Sequence, residues 1–319
     1  MKAVKNIKEN VVWVMLVVLI IMFSLATPMF FKQGNLITIL RQISNTGILA
    51  VAMSFVVIGG GIDLSIGNMM GLCGMITALM LTETNLPIVV SCILGVLFCG
   101  LLGLITGVLI TYTKMPPLIM TLGMSYVCLG WAFLTTGGFP VYGLPDSVKI
   151  LGQGYIFGWI PVCVLILIAV IVAGALILNK TNYGRYIYAI GSNEEAARLS
   201  GINVKFIRIS VYVISGLLSG LSGLLLMSRV NSGQPKNGNG MEMDALIAAV
   251  VGGVSIAGGE GKASGIIGGM LVMGVLANGM AVMGMSDYTQ TLVKGLVLIV
   301  VVAVDSFVRT YMSGKKASV

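Results

Sequence analysis

LPIVVSCILGVLFCGLLGLITGVLITY, residues 86–112, carries no acidic or basic side chain from end to end. Roughly 20 apolar residues in a helix cross the hydrocarbon of a bilayer, so this stretch reads as a membrane span with length to spare. Working outward from it, similar runs recur near 11–31, 36–58, 68–82, 117–135, 159–179, 207–229, 243–257, 262–284 and 288–308, separated by short polar breaks. The chain has 319 residues, 57% of them hydrophobic and 9% charged, which leaves no room for a soluble domain. The expectation is all-α: one polytopic bundle of about ten transmembrane helices filling 1–319, with short or broken helices at glycine-rich motifs.

Charge sets the orientation. The net charge of +8 comes from 19 basic and 11 acidic residues, and the bases sort by side rather than forming a nucleic-acid patch. Lys2, Lys5, Lys8, Lys114, Lys180, Arg185, Arg198, Lys205, Arg208, Lys262, Arg309, Lys315 and Lys316 fall on one side of ten spans; Lys32, Lys149, Arg229 and Lys236 fall on the other. Arg41 goes mildly against the trend. The positive-inside rule makes the richer side cytoplasmic, with both termini there. The first span is too long for a signal-peptide h-region, and Leu25-Ala26-Thr27-Pro28 is no cleavage site. All five cysteines lie inside spans and read as small buried hydrophobes. Histidine, the commonest metal ligand and general base, is absent from the chain.

Against this apolar background GRYIYAIGSNEEAARLSGINV, residues 184–204, is conspicuously polar. Ser192 and Glu195 are spaced as a capping box, Ala196, Ala197 and Leu199 follow, and Gly201 suits a left-handed helix stop. A helix this short has little stability of its own, so a partner surface must hold it unless it is an ordinary solvated loop helix. A second break, GGGIDLSIGN at 59–68, frees the backbone from helical geometry between two spans. Gly60, Gly61, Asp63, Ser65 and Gly67 then form a gate or hinge, or Asp63 or Ser65 simply caps the next helix. VVGG at 250–253 echoes Val56-Val57 before this break, as in an internal duplication. Gly103 with Gly107, and Gly216 with Gly220, have the spacing of close helix contacts.

The sequence offers no engine of its own. The run 258–264 looks like a phosphate loop, but Ile256 and Ala263 stand where a glycine and a hydroxyl are needed. Ion coupling needs ionisable groups deep in the membrane, and the candidates are Asp63, Lys294, which can snorkel, and Asp305.

GGIDLSIG at 60–67, GRYIYAIGSNEEAARLSGINV at 184–204 and QPKNGNGMEMDALIAAVVGGVSIAGGEG at 234–261 together resemble the permease subunits of ribose-type carbohydrate ABC importers. The resemblance implies a non-enzymatic, multi-pass protein of the bacterial inner membrane moving a monosaccharide by alternating access. It implies as partners a second permease protomer (identical or homologous), a cytoplasmic ABC ATPase and a periplasmic or lipid-anchored binding protein. ATP and Mg2+ would sit on the ATPase, leaving this chain without a cofactor. Permeases of the wider superfamily carry branched-chain amino acids, nucleosides or autoinducer-2, so a non-sugar cargo stays open, as does ion-coupled secondary transport. The loop at about 180–206 then resembles a coupling helix, with Ser192, Asn193, Glu194, Glu195, Ala196, Ala197, Arg198, Leu199 and Gly201 at the ATPase. Ala196, Ala197 and Leu199 would insert, while Glu194 and Arg198 pair or meet charges on the partner. A path for a neutral polar sugar would use Asn45, Thr46, Ser54, Asn68, Thr121 and Ser125, unless these bond their own backbone.

Overall fold

The computed structural model describes residues 2–317, with side chains described for 11–307; the side chains of Lys2, Lys5, Lys8, Arg309, Lys315 and Lys316 lie outside the described residues. Five helices come first: α1 (Lys2–Ala26), α2 (Gln33–Ile58), α3 (Ile66–Glu83), α4 (Ile88–Thr113) and α5 (Pro117–Thr136). A 3-10 turn (Asp146–Val148) and a short α6 (Lys149–Gln153) follow. A two-residue antiparallel hairpin, β1 (Tyr155–Ile156) with β2 (Ile160–Pro161), then leads into α7 (Val162–Lys180). Two polar helices, α8 (Asn182–Ser192) and α9 (Glu194–Leu199), precede α10 (Val204–Val230), α11 (Met241–Val251), α12 (Ala263–Val282) and α13 (Asp287–Ala317).

Among the described residues, eight helices are long and apolar enough to cross a membrane: α2, α3, α4, α5, α7, α10, α12 and the 287–307 part of α13. The first expected span stops early, at Ala26, where a turn over Thr27 to Phe31 ends the helix before α2. The expected span 243–257 is a half-helix. Its 11 residues, Met241–Val251, reach only about 16 Å, too short to cross alone. Irregular backbone flanks it on both sides and is partly buried, with Ser232, Gly233, Pro235, Gly238, Gly252, Val254, Ser255 and Gly258 inside. Helix α6 and β1 had no counterpart in the sequence reading, because 137–158 carries neither a sustained apolar run nor a strong period; the expected span 159–179 begins only at Val162, its first residues forming β2.

The bundle is built around α2 and α10. Every residue of α2 from Ile43 to Ile58 is buried, so the helix is enclosed on all faces rather than amphipathic. Helix α10 crosses α4 through the two predicted glycine pairs, which face each other. A Cβ on Gly103 would lie 2.3 Å from the Tyr212 carbonyl, and one on Gly216 would lie 2.2 Å from the Cys99 carbonyl. Small residues thus let two backbones touch, and van der Waals packing holds them where lipid supplies no hydrophobic drive. Some hydroxyls inside spans return to their own helix: Ser54 donates to Ala50 O at 2.6 Å, and Thr106 to Leu102 O at 2.9 Å. Helix α13 lies at the edge, and no residue of its apolar window is buried.

Candidate functional site

The polar segment folds into two helices meeting at one residue. Thr181 accepts a hydrogen bond from the Gly184 N–H at 3.1 Å and starts α8, whose Ile187 and Ile190 turn inward. Tyr188 donates to the Gly261 carbonyl at 2.9 Å, fastening α8 to the loop before α12, and burial raises the pKa of its phenol. Ser192 is the last residue of α8 and does not cap α9. Asn193 does: its extended backbone makes the reversal, and its Oδ1 accepts from the Ala196 N–H at 2.9 Å. The stop is as expected. Gly201 takes φ +80°, and the Gly201 and Ile202 N–H groups return to the carbonyls of Arg198 and Ala197 in a Schellman motif.

The side chains of α9 sort differently from the expectation. Ala197 is buried against the protein's own core at 4% exposure, whereas Leu199 is 79% exposed. Ala196, Ala197 and Leu199 therefore do not form one outward surface; Ala197 seats the helix, and Glu195, Ala196 and Leu199 face out. Arg198 pairs with Glu195 at 2.6 Å, one turn away, rather than with Glu194. Glu194 instead pairs with Arg208 at the start of α10. A six-residue helix is thus held by a cap at each end, one buried alanine and one ion pair to its neighbour. Asn193→Ala is expected to cost about 1 kcal/mol of local stability. Amide exchange over 194–200 should quicken about fivefold, with exchange in α10 unchanged.

Directly behind α9, three glycine-rich segments meet backbone to backbone. Helix α2 ends at Ile58, and Gly60 takes φ +84° so that the N–H groups of Gly60 and Gly61 return to Val57 and Val56. Ile58 O accepts the Gly259 N–H at 2.8 Å. Gly191, in the last turn of α8, fills the remaining gap: a Cβ there would stand 1.9 Å from Ile58 O and 2.6 Å from Gly259 N. The 258–261 run that mimics a phosphate loop is in fact this contact, closed by the Ser255 N–H to Glu260 O at 3.0 Å. The echo between the two breaks is a shared helix stop. Gly252 and Gly253 repeat the dihedrals of Gly59 and Gly60 (φ −68° and +81° against −72° and +84°), which aligns Val57 with Val250.

Asp63 sits in the break with 1% exposure. Its Oδ1 accepts the Ser65 N–H at 3.0 Å and the Ser65 hydroxyl, and its Oδ2 accepts the Ser215 hydroxyl of α10 at 2.7 Å. This is a turn two residues long tied to α10, not an N-cap of α3; Ser65, at the N-cap position, makes no capping bond either. Gly67 makes a close contact, since a Cβ there would lie 2.5 Å from Gly238 O in the loop before α11.

The six expected path residues lie between helices of this one chain. Asn45 donates to Ser222 O at 3.3 Å and its carbonyl receives the Ser222 hydroxyl; Asn68 donates to Ser125 Oγ at 2.8 Å. Thr121 bonds Ile62 O at 3.2 Å, Ser54 bonds its own helix, and Thr46 is buried. None of them lines the cavity of about 550 Å³ that opens beside α9, whose walls include Gly59, Gly60, Gly61, Lys114, Arg208 and Tyr212. Sequence reasoning missed Tyr212 and Ser215; the Ser215-Gly216, Ser219-Gly220 and Ser222-Gly223 pairs of α10 were the available signal for a polar, close-packed seam. It also missed the partner of Lys294. That amine neither snorkels nor stands alone, but meets Asp244 Oδ2 of α11 at 2.7 Å. Among the described residues no cluster of three potential metal ligands occurs.

Comparison with known proteins places the same segments in a family. The family described as branched-chain amino acid transport system / permease component matches residues 35–302. The ribose import permease protein RbsC of Bacillus subtilis (strain 168) is 40% identical, over 91% of this chain and 90% of that protein. RbsC of Escherichia coli (strain K12) is 38% identical over 91% of each chain. The xylose transport system permease protein XylH of Escherichia coli (strain K12) is 32% identical over 94% of this chain and 92% of its own. No solved structure matches.

Proposed function

The chain belongs to the branched-chain amino acid transport system / permease component family, and on that premise we propose that it is the membrane permease of a bacterial ABC importer for a monosaccharide. Relatives named for ribose and for xylose support the sugar class. The observation that carries the mechanism is the junction of Gly191, Ile58 and Gly259. Through it, a push on α9 passes without a flexible linker into the ends of α2 and of the loop after α11. Alternating access then needs no energy source within the chain.

In this reading α9 is the coupling helix, and the outward face of Glu195, Ala196 and Leu199 docks on a cytoplasmic ABC ATPase that holds ATP and Mg2+. The α8–α9 end is cytoplasmic, because it gathers Lys114, Arg185, Arg198, Lys205 and Arg208. With α1 and the whole 231–262 segment around the half-helix α11 taken as crossings beside the eight full spans, ten passes put both termini on that side. The sugar passes between this protomer and a second permease, identical or homologous, after release from a periplasmic or lipid-anchored binding protein. Asp63, Gly60 and Gly61 hold the inner end of that route through Ser215.

Leu199→Asp tests the docking face without touching the chain's own core. The variant is expected to insert normally and to lose copurification of the ATPase. Uptake that continues with no ATPase present would overturn the proposal. Ala197 is the wrong residue for this test, since a charge there disrupts the seat of α9 itself.

A further inference from the structure

We propose that the outward face of α5 around Tyr126 is the wall this chain gives to the sugar path, with the Tyr126 side chain as a contact for the sugar. The cargo, though not the wet wall, rests on the transport reading above. Helix α5 runs from Pro117 to Thr136, which puts Tyr126 at mid-span, about 14–15 Å from either end. The residue is 73% exposed there, and its hydroxyl makes no hydrogen bond among the described residues. Facing lipid, it would hold an unsatisfied polar group in the middle of the hydrocarbon, whereas tyrosines that meet lipid gather at the two interfaces.

The faces of this protomer that are shaped for lipid look different. Between Val89 and Leu109 every exposed position of α4 is valine, isoleucine or leucine. Between Ile168 and Leu176 every exposed position of α7 is isoleucine, valine, leucine or alanine. On α5, Gly123 and Gly130 flank Tyr126 three positions before it and four after, on the same face. Both are exposed, and a Cβ on either would have nothing within 4 Å. The glycines where α4 crosses α10 let two backbones touch; these two gain no contact within the protomer for the helix stability they give up. They leave an open shelf above and below the ring. Such a surface suits a neutral polyol, because the C–H face of a sugar packs on the ring while the phenol exchanges hydrogen bonds with its hydroxyls. No charge is needed, and α5 carries none.

The opposite face of α5 is fastened to the glycine break. Thr121 donates to the Ile62 carbonyl at 3.2 Å, and the Ser125 hydroxyl accepts from Asn68 at 2.8 Å. Two of the residues expected to line the path therefore do the fastening, and the far side of the same helix does the lining. A displacement of the break carries α5 with it, so the wall moves when the junction does.

The test uses the full chain with its ATPase and binding protein in proteoliposomes. Tyr126→Cys is treated with a charged, membrane-impermeant methanethiosulfonate. Leu101→Cys, at the middle of the outward face of α4, is the lipid-facing control, and the unsubstituted protein gives the background of the native cysteines. Tyr126→Cys is expected to label about tenfold or more faster than Leu101→Cys, because a thiol reacts as the thiolate, which forms only where water reaches. In a second arm, the side chain of Gly130→Leu meets nothing in the protomer, so Tm should hold. Uptake of radiolabelled ribose or xylose should nevertheless fall about tenfold or more as the shelf fills. Tyr126→Leu should cut uptake about fivefold, with Tyr126→Phe between it and the unsubstituted protein. Labelling of Tyr126→Cys as slow as that of Leu101→Cys overturns the wall, since the face then meets lipid or packed protein. Normal uptake in Gly130→Leu overturns it too, and normal uptake in Tyr126→Leu overturns the sugar contact. Absence of uptake in the unsubstituted complex would instead sink the sugar reading, and the labelling comparison, which needs no transport, would still decide whether the wall is wet.

Discussion

Gly191→Ala is expected to cut uptake by about tenfold or more while the protein still inserts and still copurifies its ATPase. The added methyl would lie 1.9 Å from the Ile58 carbonyl and 2.6 Å from the Gly259 nitrogen, both backbone atoms that cannot rotate away. Overpacking of this kind costs about 1–3 kcal/mol even when the surroundings give. Here the give must come from separating α8 from α2 and from the 258–261 loop, which is the contact assigned to transmit the stroke. Leu199 and the outer face of α9 are untouched, so docking survives and coupling does not. Gly201→Ala is the matched control. It is strained by its φ of +80°, at about 1 kcal/mol, but nothing lies within 4 Å of the new Cβ. Uptake should therefore fall much less. If the two substitutions reduce uptake equally, or if Gly191→Ala is silent, the junction does not carry the movement.

The second large effect concerns the Lys294–Asp244 pair. Its side chains are only 23% and 17% exposed, so removing one leaves the other's charge in a poorly solvated setting between α11 and α13. Lys294→Ala or Asp244→Ala should each destabilise the protein by about 3 kcal/mol. In detergent this would appear as a fall in Tm on the order of 10 °C. Replacing both partners at once, Lys294→Met with Asp244→Leu, should recover most of that loss, because no unpaired charge remains. The cycle has a functional arm as well. A stability role predicts that the apolar pair still transports, whereas an ion-coupling role for Lys294 predicts uptake that never recovers. A double variant as unstable as either single one would show that the pair is not the source of the cost.

Some of this was legible from residue types alone. Composition and the uncharged run at 86–112 were enough for a polytopic helical bundle, because a bilayer leaves the backbone few alternatives. Gly103, Gly107, Gly216 and Gly220 were readable as contact residues, and each pair found the other. The stop at Gly201 was equally plain, since few residues tolerate a positive φ. Other readings failed on choices that local sequence leaves open. Ser192 and Asn193 are both good caps one residue apart, and the winner depends on where α8 runs out. Arg198 could reach Glu194 or Glu195, and Arg208, fourteen positions from Glu194, decided which was free.

The amino-acid sequence by itself determined the solvent of this protein and the placing of its glycine breaks at 59–61 and 252–253, because each follows from local transfer energies and backbone freedom. Only the tertiary structure decided what the breaks are for. Gly60, Gly191 and Gly259 are far apart in the chain, and no local pattern says that their backbones touch. Nor could it say that Ala197 faces in while Leu199 faces out, that Asp63 answers to Ser215, or that Lys294 answers to Asp244. Those are long-range pairings, set by which helices pack together, and their energies exist only once the bundle has closed.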